Sequence, residues 1–306
     1  MTKGLTVRDG RSGPVTRRGR GSRPGFDREP AALDLTMKRS PGKFFVLVFA
    51  LSLPMWLLEP GDWPISSAVF APLLAALILV GRAEGAGGVR RLLGRLFDYQ
   101  RIRAKVWYAP IFLVWPFIGL LAYVATRLMG IPASAEWSNP LVATPQLFAL
   151  FFILAIGEEP GWTGYAIDPL LRRHSALATG LILGIVSSLW HLAPLVNMGR
   201  NAGWIAWWMV WAVPLRILFV WIYTNTGKSL FAVVVFHATL NLSSSSPFIP
   251  KTNSAWDPAI LGVITVVSAV VVTIAWGWRT LTRQDPLTSG SGSGSGSSSG
   301  AGARVT

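Results

Sequence analysis

Eight runs of apolar residues alternate along the chain with shorter polar or basic segments. They lie near residues 44 to 58, 64 to 81, 106 to 128, 146 to 167, 177 to 195, 203 to 223, 229 to 244 and 258 to 278. A bilayer core about 30 Å thick is crossed by a helix of roughly 20 apolar residues, each adding 1.5 Å. The pattern therefore predicts an all-α protein, a multi-pass transmembrane helical bundle of about eight spans over residues 43 to 280.

The two ends of the chain lack this pattern. Residues 1 to 42 are rich in Gly, Pro and Arg and show no hydrophobic periodicity, and residues 281 to 306 are mostly a Ser/Gly repeat. Such compositions cannot bury enough apolar surface to offset the entropy of ordering. Both ends are predicted to be disordered tails.

The composition fits a membrane protein and narrows the chemistry. Only 14% of the residues are charged and the mean hydropathy is +0.46, whereas about 25% of the residues are charged in a typical soluble domain. The chain has no cysteine and three histidines. Disulfides and cysteine-ligated zinc or iron–sulfur sites are therefore excluded.

The net charge of +14 comes from the segments outside the apolar runs. If both termini lie on one side of the membrane, the segments on that side hold 24 Lys and Arg residues and those on the other side hold three. Because cytoplasmic loops are enriched in Lys and Arg, this asymmetry predicts a plasma-membrane protein with both termini in the cytoplasm. The positive charge is attributed to contact with membrane lipids and not with nucleic acid, since no basic segment interleaved with aromatic residues is present.

Five polar side chains lie inside apolar segments of the second half of the chain: Glu158, Glu159, His191, His237 and Asn241. Ionisable groups at bilayer depth cost at least about 2.5 kcal/mol on insertion scales, so they persist where partners or a cavity receive them. Successive helical residues point about 100° apart, which predicts different roles for the two glutamates. His237 and Asn241 are four residues apart and share a helix face.

These residue types suit the activation of water. A buried carboxylate beside an imidazole takes a proton from water, and a His/Asn pair donates hydrogen bonds to the oxyanion of a tetrahedral intermediate. Simpler explanations are a water-filled vestibule lined by the glutamates and interhelical hydrogen bonds made by the histidines. A transporter with a proton relay is a further alternative, although no internal repeat of the spans is evident.

Three short motifs follow one another on separate predicted helices. The stretches read GEEPGWTGYAIDPL from Gly157, SSLWHLAPL from Ser187 and WIYTNTGKSLFAVVVFHATLNL from Trp221. Together they resemble the CAAX-protease and bacteriocin-processing family (CPBP, also called Abi), whose pattern is E-E-x-x-x-R, then F-x-x-x-H, then H-x-x-x-N. The resemblance covers residues 157 to 242. It implies an intramembrane bundle that cleaves peptide bonds of a membrane-associated or lipidated peptide or protein substrate.

The resemblance also implies roles for the polar residues at the motif positions. Glu158 and His191 would hold and activate the attacking water. His237 and Asn241 would stabilise the oxyanion. Glu159 would be a second acidic residue that acts through its neighbours and does not contact the substrate. Members of the family are often labelled metalloproteases, and zinc ligands would then be sought among Glu158, His191 and His237.

The chain departs from the family pattern at two positions. Thr163 stands at the motif arginine and Ser187 at the motif phenylalanine. The motif arginine lies four residues after the second glutamate, at ion-pair spacing, so Glu159 lacks its local counter-charge. Arg216 is the one basic residue inside a predicted span, and we expect it to supply this charge from the sixth apolar segment.

The missing motif arginine also favours an alternative function. The chain would then be a catalytically inactive membrane scaffold or immunity protein with the same fold. Convergence of the polar residues on one cavity is the feature that a protease requires. The tryptophans of the sixth segment are expected mainly to anchor that helix at the membrane interface and to pack.

Overall fold

The computed structural model describes Met1 and residues 39–58, 67–131, 144–245 and 257–283. Apart from Met1, both predicted tails lie outside these ranges except at their inner edges, residues 39–42 and 281–283. The disorder predicted for the tails therefore falls outside the described residues.

The described residues form helices and contain no strand, which confirms the all-α prediction. The α-helices are α1 (Pro41–Leu58), α2 (Ala71–Gly94), α3 (Tyr108–Leu128), α4 (Thr144–Trp162), α5 (Ile167–Leu171), α6 (Ala176–Trp190), α7 (Leu192–Asn197), α8 (Ala202–Asn225), α9 (Leu230–Ser245) and α10 (Asp257–Trp276). Short 3-10 turns precede α2 and connect α2 to α3.

Six described helical segments are long and apolar enough to cross a membrane. They contain α1, α2, α3, α8, α10 and the continuous pair α6–α7. The two other long helices are α4, which carries the glutamate pair, and α9, which is apolar but has only 16 residues. With these two helices the count agrees with the predicted bundle of about eight spans, so the chain is a multi-pass membrane protein.

Helix α4 ends five residues earlier than the predicted span. The N–H of Gly164 donates to the carbonyl of Glu159, and the N–H of Ala166 donates to the carbonyl of Gly161. These bonds reach five residues back along the chain and close the helix with a wide turn. The turn leads into α5, which places the glutamates about one helical turn from the end of α4.

One end of the bundle collects most of the positive charge, and we refer to it as the basic end. It carries Arg39, Lys43, Arg82, Arg90, Arg91, Arg95, Arg101, Arg103, Lys105, Arg172, Arg173, Lys228, Arg279 and Arg283, whereas the described residues at the opposite end include two basic side chains, Arg127 and Arg200. Hydrogen bonds tie the segments of the basic end together. The N–H of Ala176 donates to the carbonyl of Arg279, and the Asn225 side chain donates to the carbonyl of Leu281.

Glycine pairs at four-residue spacing bring two pairs of helices into close contact. Gly157 and Gly161 of α4 lie against the start of α2, where a Cβ on Gly157 would stand 2.8 Å from the Val69 carbonyl oxygen. Gly180 and Gly184 of α6 lie in the same way against α8. Small residues at this spacing let helix backbones approach each other in membranes, where van der Waals packing drives association. These contacts fix the helices that carry the glutamates and Arg216.

The packing divides the bundle into two layers. In the first layer α9 packs against α4 and α3, and α4 packs against α2; in the second layer α8 packs against α6 and α10. Helices α8 and α9 contact each other far less, although only the short turn at 226–229 joins them. A cleft lined by residues of both helices lies between the two layers.

The close contact of α6 with α8 predicts a sharp position dependence for glycine-to-alanine substitutions. A Cβ at Gly184 would overlap the Val213 carbonyl oxygen of α8, whereas a Cβ at Gly42 of α1 meets nothing within 4 Å. We expect Gly184→Ala to destabilise the protein by about 1 to 3 kcal/mol through overpacking, and Gly42→Ala to be neutral or slightly stabilising. Thermal unfolding in detergent measures both variants. Equal melting temperatures for the two would contradict the close approach.

Candidate active site

The cleft between the two layers contains a cavity of about 240 Å³. Its walls are formed by Glu158, Ser187, His191, Trp208, Trp211, Ala212, Leu215, Arg216, Phe219, His237, Leu240 and Asn241. The first layer contributes Glu158, His237 and Asn241, and the second contributes His191 and Arg216. The structure therefore brings the predicted polar residues of four helices to one cavity, apart from Glu159 and Thr163, which lie behind its wall.

Glu159 is fully buried and accepts hydrogen bonds from three directions. Arg216 Nη1 of α8 donates to its Oε1 at 2.9 Å, and His237 Nδ1 of α9 donates to the same oxygen at 2.8 Å. Thr163 Oγ1, one turn along α4, donates to Oε2 at 2.5 Å. Charge-assisted bonds of this kind offset the cost of burying a carboxylate. Glu159 is therefore the point at which α4, α8 and α9 are joined.

The structure places Arg216 where the charge-replacement hypothesis expects it. Besides its bond to Glu159, its Nη2 lies 3.7 Å from Oε2 of Glu158. The guanidinium carbon also stands 5.6 Å from the ring centre of Trp162 and 5.0 Å from that of Phe219. Both distances are within the range of a cation–π contact. The two rings and the two carboxylates hold the guanidinium in place. Its positive charge lies beside both glutamates, whereas the family pattern would supply that charge from position 163.

Glu158 differs from its neighbour because it faces the cavity. Its Oε2 is buried and makes no hydrogen bond with the described residues, and Arg216 is its one ion-pair partner there. A carboxylate oxygen with free lone pairs in a cavity is available to accept a proton. The two adjacent glutamates therefore have different environments, as their directions on a helix predict.

His191 lies at the junction of α6 and α7. Its Nδ1 is 2.7 Å from the carbonyl oxygen of Ser187. A carbonyl only accepts, so Nδ1 carries a hydrogen and Nε2 is the nitrogen left for a ligand. The Trp208 ring, 5.2 Å from the imidazole between ring centres, packs on it from α8. The Ser187 backbone orients His191, and its short side chain leaves room in the cavity where the family motif has phenylalanine.

His237 is oriented by Glu159 in a similar way. Because the carboxylate accepts from Nδ1, the ring presents Nε2 away from Glu159. Phe219 supports the ring edge to face at 5.4 Å between centres. Asn241 lies one turn farther along α9 and lines the same cavity. Two polar groups of α9 therefore border the cavity that His191 also lines.

The donor set does not fit the predicted zinc site. Among the residues that the structure describes, no group of three His, Asp or Glu side chains stands close enough to hold a metal ion. Nη2 of Arg216 also lies 3.7 Å from Oε2 of Glu158, where its positive charge would repel a metal ion bound to that carboxylate. The described side chains therefore do not assemble the predicted ligand set of Glu158, His191 and His237, and the mechanism proposed below uses no metal.

Most of the apolar wall was not predicted from the sequence. Trp208, Trp211, Leu215 and Phe219 of α8 line the cavity together with Arg216. Their spacing of three to four residues places them on one face of α8. The signal was present in the sequence, but we expected the tryptophans to serve mainly as interfacial anchors.

Asp98, in the connection from α2 to α3, holds the first turn of α9. It accepts hydrogen bonds from the Ser229 hydroxyl at 2.7 Å and from the Phe231 N–H at 3.1 Å on Oδ1, and from the Leu230 N–H at 3.4 Å on Oδ2. An acidic group at a helix N-terminus satisfies free N–H groups and interacts well with the helix dipole. Asp98 thereby fixes the start of the helix that carries His237.

Two substitutions at Asp98 should separate the contribution of its hydrogen bonds to stability from the contribution of its negative charge. We expect Asp98→Ala to destabilise the protein by about 1 to 2 kcal/mol because the first turn of α9 loses its cap. Asp98→Asn keeps an acceptor oxygen and should lose less than half of that amount. Chemical or thermal unfolding of the purified variants measures the difference. If Asp98→Ala unfolds like the parent protein, the contact does not stabilise α9.

Two comparisons with known proteins bear on this site. Residues 140–243 match the family model of the type II CAAX prenyl endopeptidase Rce1-like proteins. CAAX prenyl protease 2 from Methanococcus maripaludis is 26% identical over 218 residues, a match that covers 67% of this chain and 78% of that protein. The family match includes every polar residue of the cavity from Glu158 to Asn241. Together the two matches confirm the resemblance to the CAAX-protease family and support an endopeptidase.

Proposed function

We propose that this member of the CAAX-protease family is an intramembrane endopeptidase that hydrolyses peptide bonds with a water molecule activated by Glu158 and His191. The observation that supports the proposal most strongly is the contrast between the glutamates. Glu159 is saturated by three donors, whereas Glu158 faces the cavity with an unbonded oxygen. The cavity thus holds one carboxylate that is free to act as a base.

The reaction begins with water held between the Glu158 carboxylate and Nε2 of His191. Glu158 takes a proton from the water, and the water oxygen attacks the carbonyl carbon of the peptide bond. A C–O bond forms and the carbonyl oxygen becomes an oxyanion. The C–N bond then breaks, and the leaving amine receives the proton from Glu158. The products are a new carboxyl terminus and a new amino terminus, with no covalent enzyme intermediate.

The oxyanion would be stabilised by donors on α9. The Asn241 amide donates one hydrogen bond, and Nε2 of His237 borders the oxyanion as the second polar group of α9. The Glu159 carboxylate, 2.8 Å from Nδ1, stabilises positive charge on that ring. Arg216 holds the Glu159 carboxylate in place through its hydrogen bond to Oε1. Glu159 and Arg216 are therefore positioning residues in this mechanism.

The substrate would be a peptide segment within or anchored to the bilayer. The cavity lies between membrane-spanning helices, and its apolar wall of tryptophan, leucine and phenylalanine suits the apolar side chains of such a segment. The name of the Methanococcus relative suggests a lipid-modified substrate for this chain as well. We propose that the protein acts in the plasma membrane with both termini in the cytoplasm, because Lys and Arg gather at the basic end.

Proteoliposomes containing the purified protein test this function. A library of peptides, each made in a prenylated and an unmodified form, is incubated with the parent protein and analysed by mass spectrometry. We expect cleavage of membrane-anchored peptides at defined bonds. Preference for the prenylated form would support a lipidated substrate. Absence of cleavage from every peptide would favour the inactive scaffold or immunity protein of the same fold.

A further inference from the structure

We propose that a groove between α6 and α10 binds one anionic phospholipid, with an acyl chain against α8 and the phosphate at Arg279 and Arg283. The groove is a second cavity, of about 550 Å³, and no described residue lines both it and the cavity that contains Glu158. The inference goes beyond the proposed function and does not depend on it.

Helix α8 separates the two cavities. Trp211 and Leu215 line the first cavity, whereas Val213 and Ile217 line the groove. Residues two apart on a helix point about 200° from each other, so the two cavities lie on different faces of α8. A ligand in the groove would therefore pack behind the helix that carries Arg216.

The groove has a buried floor and exposed rims. Its floor includes Ile217 of α8 and Ala269 of α10, which are 5% and 3% exposed. Leu181 of α6 and Val270 of α10 stand at the rims and are 38% and 49% exposed. Helices α6 and α10 both pack on α8 but make few contacts with each other. A flexible hydrocarbon chain can fill the furrow between them and restore close packing.

The lining of the groove suits hydrocarbon. Thr273 is the one polar side chain among the described residues that line it, and its hydroxyl already donates to the Ala269 carbonyl at 2.7 Å. Along α10 the lining runs from Val266 to Ile274, about 12 Å at 1.5 Å per residue. One leaflet of a bilayer has a hydrocarbon thickness of about 15 Å, half of the core. The groove therefore matches a single acyl chain of one leaflet.

The segment that follows α10, residues 277–283, is fixed beside the basic end of the groove. The Leu177 N–H donates to the Trp278 carbonyl at 3.1 Å, and the Ala176 N–H donates to the Arg279 carbonyl at 2.8 Å. Leu177 itself lines the groove. These backbone bonds place the Arg279 main chain next to the point at which an acyl chain in the groove would meet its headgroup.

Two arginines of this segment present positive charge there. The guanidinium of Arg279 stands 5.1 Å from the ring centre of Trp278, and that of Arg283 stands 4.7 Å from the ring centre of Trp276. The described carboxylates of the basic end form their ion pairs with other cations; these carboxylates are Glu84, Asp98 and Asp168. Tryptophan favours the level of the headgroups, and arginine near a membrane surface attracts anionic lipids. The charge and the groove together select an anionic phospholipid.

The chain's own C-terminal segment does not suit the groove. Residues 284–306 follow Arg283 directly, but they are mostly Ser and Gly, with Leu287 and Val305 as their two large aliphatic side chains. Such a sequence does not supply a continuous apolar chain about 12 Å long. The surrounding bilayer does.

Native mass spectrometry of the full chain in detergent tests the site. The probes are phosphatidylglycerol and phosphatidylcholine with identical acyl chains, and glycerol 3-phosphate as a headgroup without chains. We expect one phosphatidylglycerol to bind about 30-fold more tightly than phosphatidylcholine, the ratio that two arginines near a membrane surface supply. Glycerol 3-phosphate should not bind at the same concentration, because it cannot occupy the groove.

Matched substitutions separate the groove from the neighbouring surface. Val270→Trp fills the groove, whereas Val271→Trp places the same side chain at an exposed position of α10 that does not line it. Only Val270→Trp should weaken the binding of phosphatidylglycerol, by about tenfold or more, because the indole displaces the acyl chain from its contacts.

A second pair of variants tests the headgroup. The double variant Arg279→Gln, Arg283→Gln should lose the preference for phosphatidylglycerol over phosphatidylcholine. The control is the double variant Arg82→Gln, Arg90→Gln on α2 in the first layer, where both side chains are exposed. It removes the same charge from the basic end and should keep the preference.

Equal binding of the two lipids to the parent protein would overturn the proposal. So would equal binding by Val270→Trp and Val271→Trp, or glycerol 3-phosphate that binds as tightly as phosphatidylglycerol. A parent dimer that Val270→Trp alone dissociates would overturn it as well, because a second copy would then cover the groove. The arginine variants decide if Val270→Trp does not fold. None of these measurements requires peptide cleavage, so failure of the proposed function leaves them unchanged.

Discussion

Glu158→Gln should abolish peptide hydrolysis while leaving the bundle folded. Glutamine has the shape of glutamate, but its amide does not accept a proton from water at neutral pH. The variant therefore loses general-base catalysis, which is worth about 100- to 10,000-fold in rate. Oε2 of Glu158 makes no hydrogen bond with the described residues, so the interaction that the substitution removes there is the ion pair at 3.7 Å with Arg216. Rates of peptide cleavage and the melting temperature of the same preparation measure the two effects.

Glu84→Gln is the matched control for this variant. Glu84 is also a glutamate with little exposure, but it lies at the basic end, where it pairs with Arg39 and Arg91. We expect its replacement to leave the cleavage rate within about twofold of the parent rate, since the contact is remote from the cavity. A Glu158→Gln protein that cleaves as fast as Glu84→Gln would remove Glu158 from the mechanism.

Arg216→Gln should reduce both stability and activity. Loss of the guanidinium leaves two carboxylates close together inside the membrane with His237 and Thr163 as the remaining partners of Glu159. Breaking a buried pair by removing one partner costs about 3 to 5 kcal/mol. Protonation of Glu159 would relieve the repulsion but would also remove the negative charge that supports His237. Thermal unfolding and cleavage rates report these losses, and Arg200→Gln at the opposite end of the bundle is the control.

Moving the charge back to the motif position tests whether Arg216 replaces the family arginine. Thr163 already touches Glu159 from the next turn of α4, so an arginine there can reach the same carboxylate. We expect the double variant Thr163→Arg, Arg216→Gln to recover a large part of the stability and activity that Arg216→Gln loses. Thr163→Arg alone should be harmful, because two guanidinium groups then compete for one buried carboxylate. A double variant no better than Arg216→Gln would show that Arg216 has a role other than the missing arginine.

The membrane character and the polar site could be predicted because each rests on local sequence. A run of about 20 apolar residues predicts a span wherever it occurs, and a carboxylate inside such a run stands out against its neighbours, as Glu158 and Glu159 do. Arg216 could be singled out for the same reason. Its partner could be inferred only because the motif left Glu159 without a counter-charge.

Other features depend on contacts between distant parts of the chain. Asp98 caps α9 from a connection more than 130 residues away, and no local pattern marks it. The early end of α4 follows from backbone bonds at Gly161 and Glu159 that a smooth apolar run does not show. Residue type alone also does not show that Glu159 bonds His237 and that Arg216 lies beside Glu158, and the second of these contacts bears on the predicted zinc site.

Peptide hydrolysis in oxygen-18 water tests most directly the central claim, that Glu158 activates the attacking water. The parent protein and Glu158→Gln are incubated in parallel with a peptide found to be cut, and the products are analysed by mass spectrometry. Water activated by Glu158 predicts heavy oxygen in the new carboxyl terminus with the parent protein and no product above background with the variant. Equal amounts of labelled product from both proteins would contradict the account.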